Sequence, residues 1–174
     1  MDIKKIEEYC FYGQQGFNEL NELYEKFLKN LDKDLMMEIG TRYGHSAKIW
    51  EEIGFEKIIL LDISFYGLLY ELDNKFILIE GNSNDNVTFK KVNKEIDNNK
   101  LNFLFIDGGH SYGEVRKDFY LYKDFMKDNG VIVFHDLELQ NAGVRKFFDE
   151  IKLDYKQTFE IKNDYYGYGI LINN

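Results

Sequence analysis

Residues 101–136 read LNFLFIDGGHSYGEVRKDFYLYKDFMKDNGVIVFHD. An apolar run closes on Asp107, a glycine pair and His110 follow, a helical pattern comes next, and a second apolar run closes on His135 and Asp136. Short continuous apolar runs suit strands buried on both faces. Two such strands, side by side, deliver Asp107, His110, His135 and Asp136 to one edge of a sheet. Open α/β sheets place their chemistry outside the carboxyl ends of the strands. Four ionisable groups at two adjacent strand ends exceed what turns require, so the cluster reads as a metal or acid–base site.

The rest of the chain repeats the alternation. Phe17, Leu20, Tyr24, Phe27 and Leu31 have helical spacing and predict an amphipathic helix against the sheet. Strands are expected at Leu35 to Ile39, Lys57 to Leu61, Phe76 to Ile79, Leu101 to Ile106 and Val131 to Phe134. Helices are expected at Ser46 to Ile53, Phe65 to Leu72 and Asn86 to Asn98. Ser111 and Glu114 form a capping box that opens a further helix, with Val115, Phe119, Tyr122 and Met126 on one face. Asn129-Gly130 reads as a turn, and Asn141 as the cap of a helix bearing Val144, Phe148 and Ile151. Tyr155 to Ile161 and Tyr168 to Ile172 read as two closing strands joined by Lys162-Asn163-Asp164. That connector is too short for a crossover helix, which needs about a dozen residues, so the pair is an antiparallel hairpin. The order predicts an α/β fold: a doubly wound, seven-stranded, mostly parallel sheet with helices on both faces.

At 174 residues the chain suits one domain. Its net charge of −9 argues against a nucleic-acid backbone as partner. No apolar stretch of spanning length or signal-peptide pattern occurs, so no membrane partner is expected. Cys10 is the only cysteine, which excludes an intrachain disulfide and fits a reducing, cytoplasmic location.

Residues 38–46, EIGTRYGHS, lie between the first strand and its helix. Glycine there lets backbone approach a ligand, and the helix N-terminus offers N–H groups to an anion. Asp62 ends the next strand, where dinucleotide folds place a carboxylate on ribose hydroxyls. The Gly40–Gly44 spacing departs from the Gly-x-Gly-x-x-Gly fingerprint, which lowers the rank of NAD.

Together these residues resemble class I S-adenosylmethionine-dependent methyltransferases. The nearest pattern is a small O-methyltransferase family with the hallmark Ile-Asp-Gly-Asp-His-Ser-Tyr and, downstream, Gly-Gly-Val-x-x-x-His-Asp. The first stands here as Ile106 to Tyr112 and the second as Asn129 to Asp136. The cofactor motif Glu-x-Gly-x-x-x-Gly-x-Ser is matched by Glu38, Gly40, Gly44 and Ser46, and a Gly-Asp-Ser after the third strand by Gly81, Asn82 and Ser83. The resemblance begins near Leu35; sugar O-methyltransferases and cephalosporin-hydroxylase-like proteins are relatives with the same core. It implies a Rossmann-like methyltransferase domain over residues 1–174, with a helical segment over 1–31 and the core over 35–174. It also implies S-adenosylmethionine as cofactor. Glu38, Gly40 and Ser46 would hold the methionine end, Asp62 the ribose, and Asn82 and Ser83 the adenine, with Gly44, Gly81 and Asp107 completing the set. By the same resemblance Asp107, His135 and Asp136 would hold a divalent cation, and His110, beside Asp107, would be the base.

Two departures stand out. Gly109 replaces the family's Asp, and His135 stands where metal-dependent sugar enzymes carry Glu. Magnesium prefers oxygen ligands, so a ligating His135 would weaken a magnesium site or favour manganese, iron or zinc. Only the first thirty or so residues are expected to cover the acceptor. Arg42, Tyr43 and His45 have the default reading of exposed loop residues, Asp118 that of a structural hydrogen-bonding group, and Tyr165 to Tyr168 that of an aromatic hairpin. The first functional reading is O-methylation of a hydroxyl on a small molecule or sugar. The alternatives are a module that keeps S-adenosylmethionine without transfer, and another Rossmann-type enzyme using a nucleotide or nucleotide sugar. The expected partner is a hydroxylated small molecule, and a homodimer is left open.

Overall fold

The computed structural model describes residues 2–13, 15–140 and 143–173. The strands are β1 (Leu35–Ile39), β2 (Lys57–Asp62), β3 (Phe76–Glu80), β4 (Leu101–Ile106), β5 (Met126–Phe134), β6 (Thr158–Ile161) and β7 (Tyr168–Ile172). They form one sheet in the order β3-β2-β1-β4-β5-β7-β6. The first five run parallel, while β7 pairs antiparallel with both β5 and β6. The fold class and the closing hairpin are those expected from the sequence.

Helices α1 (Ile3–Gly13), α2 (Phe17–Leu23) and α3 (His45–Ile53) cover one face; α4 (Asn86–Ile96), α5 (Tyr112–Tyr122) and α6 (Val144–Ile151) cover the other. Alternate residues along each strand feed the two cores. Met36, Ile58, Leu60, Phe103, Phe105 and Val133 meet Leu20, Leu23 and Trp50, whereas Met37, Ile59, Leu104, Ile132 and Phe134 meet Val92, Phe119 and Phe147. The central strands β1 and β4 are buried throughout, which is why their sequences lack polar alternation.

Several local expectations change. Residues 65–72 are an irregular loop and not a helix: Tyr66 is fully exposed and Leu69 largely so, leaving the segment without a buried stripe. The loop is pinned instead by the Leu69 N–H on the Tyr43 carbonyl (3.1 Å). Met126 belongs to β5, because α5 ends at Tyr122 and a 3₁₀ turn intervenes. Asn129-Gly130 is an irregularity inside β5: Asn129 has φ 61°, and the ladder with β4 jumps from Leu101–Met126 to Phe103–Val131. The capping box on α5 is present as expected, with Glu114 N–H on Ser111 Oγ and Glu114 returning to the Ser111 N–H. Asn141 lies outside the described residues. Among those described, no helix is long and apolar enough to cross a membrane.

The topology sets where a ligand can sit. From β1 the chain winds outward through β2 and β3, then returns to the far side of β1 as β4, so connections diverge between β1 and β4. Ile39, Leu61 and Ile106 lie level across the sheet, as do Ile106 and Phe134. One further backbone bond extends each pairing: Gly40 N to Leu61 O (2.8 Å), Asp107 N to Ile39 O (2.8 Å) and His135 N to Ile106 O (3.0 Å). Gly40, Asp107 and His135 are therefore fixed side by side on the carboxyl rim.

Candidate active site

A crevice of about 950 Å³ opens along this rim, large enough for a nucleoside-sized ligand. Its β1 side is the glycine loop. Gly40 has φ 91°, and a Cβ there would stand 2.0 Å from the Asp107 carbonyl oxygen, so the close approach of β1 and β4 requires glycine. Gly44, with φ 85°, starts α3. Asp62 gathers the loop: its Oδ2 accepts from the N–H groups of Thr41 (2.8 Å) and Arg42 (2.7 Å), and its Oδ1 from Ser64 N–H (3.1 Å). A carboxylate has about four acceptor positions, so Oδ1 keeps room for a hydroxyl from the crevice.

Glu38 stands behind this wall. It is fully buried, accepting from Trp50 Nε1 (3.0 Å) and Thr41 Oγ1 (3.1 Å), with Ser46 as a further partner. Burial pushes its carboxyl up to about 7 against the effect of those donors. Glu38 does not line the crevice, whereas Ser46 does. Gly81, Asn82 and Ser83 line the end beyond β3, and Asn84, unremarked in the sequence, joins them. The Asn84 amide donates to Asp118 Oδ1 (2.5 Å) and Ser83 Oγ (3.2 Å), so Asp118 braces this loop from α5.

On the β4–β5 side the four ionisable residues do converge. His135 is buried, its Nδ1 lying 3.0 Å from Asp107 Oδ1 and 3.3 Å from Asp136 Oδ1. Burial alone would lower this imidazole, but the carboxylates of Asp107 and Asp136 outweigh it and raise it to about 10. Burial likewise opposes ionisation of Asp136, yet hydrogen bonds from His110 and His135 hold its carboxyl below the usual range. His110 Nε2 lies 2.8 Å from Asp136 Oδ2, and this bond raises the His110 imidazole above its ordinary value. The loop bearing His110 is fastened by Gly143 N–H on the His110 carbonyl (2.7 Å).

The grouping differs from the expected one in one respect. Among the described residues, the metal-competent cluster is Asp107, His110 and Asp136, whose donor atoms lie within 4.8 Å of one another. His135 is turned to the carboxylates from below. Two carboxylates and an imidazole at that separation suit a divalent cation of the manganese or zinc type. A Cβ at Gly109 would meet Glu114 Cδ at 2.6 Å, so the capping-box carboxylate occupies the space of the family's Asp.

Other lining residues carry no sequence motif. Tyr12, Gly13 and Gln15 come from the N-terminal segment, and Tyr166 stacks on His135 with centroids 5.6 Å apart. Arg42 and Tyr43 line the crevice, the guanidinium 4.8 Å from the Tyr43 ring centroid. His45 is more than a solvated loop residue: its Nδ1 is 2.6 Å from the Tyr70 hydroxyl and its ring stacks on Tyr12 at 6.0 Å. Only the spacing of aromatics around the glycine loop could have hinted at that contact.

Comparison with known proteins agrees with this fold. A family model described as a methyltransferase domain matches residues 37–137, more than half of the chain. No curated protein sequence matches it. Among solved structures, a candidate caffeoyl-CoA O-methyltransferase of Staphylococcus aureus superposes with a TM-score of 0.73 at 18% identity, covering 100% of this chain and 93% of the other. The MycE methyltransferase of the mycinamycin pathway, solved with Mg, SAH and mycinamycin VI, gives 0.69 at 16% identity. This chain is covered entirely in that match but spans only 54% of the MycE chain. The TDP-rhamnose 3′-O-methyltransferase of calicheamicin biosynthesis gives 0.63 at 13%, covering 88% and 76%. At these identities the structures establish the shared fold.

Proposed function

The chain belongs to the methyltransferase-domain family, and on that premise we propose that it transfers the methyl group of S-adenosylmethionine to a hydroxyl of a small molecule or sugar. The observation that carries this reading is the crevice itself, with a glycine loop gathered by Asp62 on one side and Asp107, His110 and Asp136 on the other. S-adenosylmethionine supplies a sulfonium-activated methyl, so an in-line displacement needs chiefly a positioned and deprotonated acceptor. The glycine loop and Ser46 accommodate the methionine end, Asp62 Oδ1 accepts from the ribose, and Asn82 to Asn84 border the adenine. Asp107 and Asp136 would hold a divalent cation, which lowers the pKa of a bound hydroxyl and leaves the lone pair of His110 free for its proton.

In this reading His110 takes the acceptor proton at Nε2, the atom now bonded to Asp136. That bond favours the protonated imidazole, so His110 becomes a base only as Asp136 is drawn to another positive charge. The same bond supports the second reading, a domain that binds the cofactor without transferring its methyl. Methyl transfer to a panel of hydroxylated sugars and phenols separates the two. The cofactor assignment is tested by Asp62→Ala. Losing a charged hydrogen-bond acceptor costs roughly 1.5–3 kcal/mol, so calorimetry should show S-adenosylmethionine binding about 10- to 100-fold more weakly. Parental affinity in a folded Asp62→Ala protein would remove Asp62 from the site.

A further inference from the structure

Gln15 lies between α1 and α2, is 7% exposed, and belongs to none of the motifs above. Its Oε1 accepts from the Tyr168 hydroxyl at 2.6 Å. Its Nε2 stands 3.4 Å from Asp107 Oδ2. Tyr168 comes from β7 and Asp107 from the end of β4, so one amide joins three distant parts of the chain. Its orientation is not arbitrary. Reversed, Oε1 would face a carboxylate oxygen, acceptor against acceptor, in a largely buried place. The Asp107 carboxylate therefore fixes the Gln15 NH₂ toward itself, and the buried Tyr168 hydroxyl donates to the amide oxygen. The other Asp107 oxygen already receives His135 Nδ1. Asp107 is thus held from both sides, leaving little freedom to rotate.

We propose that Gln15 is a positioning residue that sets the rotation of the Asp107 carboxylate, so that the N-terminal segment completes the cation site as well as covering it. The cation part rests on the reading of Asp107 and Asp136 given above; the contact between Gln15 and Asp107 does not. Partners that orient ligand carboxylates typically carry 10- to 100-fold in metal affinity, and a single 3.4 Å contact belongs at the low end.

The test uses the full chain and Mn²⁺ alone. Gln15→Met keeps the volume and removes the donor; Tyr168→Phe keeps Gln15 and frees its amide. Free Mn²⁺, followed by electron paramagnetic resonance, should show affinity reduced about tenfold in Gln15→Met and by a smaller factor in Tyr168→Phe, in variants whose circular dichroism shows the parental fold. A merely packing role would be rescued by methionine. In a ¹⁵N-labelled sample, the Gln15 side-chain amide signals, identified by their loss in Gln15→Met, should move in Asp107→Asn. Parental Mn²⁺ affinity in both variants overturns the proposal, and so do amide signals that ignore Asp107→Asn. If the parent itself binds no Mn²⁺, the cation reading fails, and the amide signals alone decide whether Gln15 holds Asp107.

Discussion

The two sides of the crevice are made of different materials. On the Gly40–Asp62 side a carboxylate meets backbone N–H groups, and the shape depends on glycines that leave room for neighbouring chain. On the Asp107–Asp136 side, side chains of opposite charge meet one another. The first arrangement is sensitive to volume. The second depends on the charge state of two imidazoles. A site of this kind can hold one ligand in a fixed pose on one side while adjusting proton positions on the other.

The comparison breaks most visibly at Gly40, where the two sides share a wall. Gly40→Ala would place a methyl 2.0 Å from the Asp107 carbonyl oxygen at φ 91°. Overpacking together with backbone strain should cost about 3 kcal/mol or more, read as a fall in the urea midpoint. A cost under about 1 kcal/mol would mean that the wall yields and the two sides are not rigidly joined.

The charged side is probed by His135→Asn. Removing a buried cation from between two carboxylates should cost about 3 kcal/mol at pH 7. The sign with pH follows from the direction of the shift: a histidine raised from 6.5 to about 10 gives stability that is fully present below pH 6.5 and lost as pH rises through about 10. The gap between parent and variant should therefore narrow between pH 7 and pH 10 in paired melting curves. A gap of constant size would show that packing, not charge, is what His135 contributes.

Glu38 sharpens the contrast from the other direction, as a titrating group buried behind the backbone-built side. Its carboxyl is raised from 4.5 to about 7, so its ionisation opposes folding: the cost is absent below pH 4.5 and complete above about pH 7. Glu38→Gln should be close to neutral at pH 4 and should stabilise by roughly 1–2 kcal/mol at pH 8, the relief being partly offset by weaker bonds to Trp50 and Thr41. Denaturant titrations at the two pH values check this, and a loss of stability at pH 8 would contradict it.

The central strands were legible because β1 and β4 are buried on both faces, and the apolar runs stop at residues with a distinct rim role, as at Gly40, Asp62, Asp107 and His135. The segment 65–72 was misread because apolar content imitates helical spacing, while nothing local announces that Leu69 will bond to Tyr43. The exchange of His110 for His135 in the metal-competent cluster turns on which way each ring points, and spacing along the chain does not encode that. Gln15 was invisible for a simpler reason: its partners are 92 and 153 residues away in sequence, and a lone glutamine between two helices has no signature.

The position of β7 has a consequence for how the chain acquires its shape. Residues 168–172 follow every other strand in chain order, yet they lie inside the sheet, between β5 and β6. During synthesis β5 therefore remains an open apolar edge until those residues emerge, and β6 has no strand to pair with before then. Such an edge invites pairing with other chains until the β6–β7 hairpin closes on it. The same closing step brings Tyr168 to Gln15, so that contact cannot form before β7 is in place.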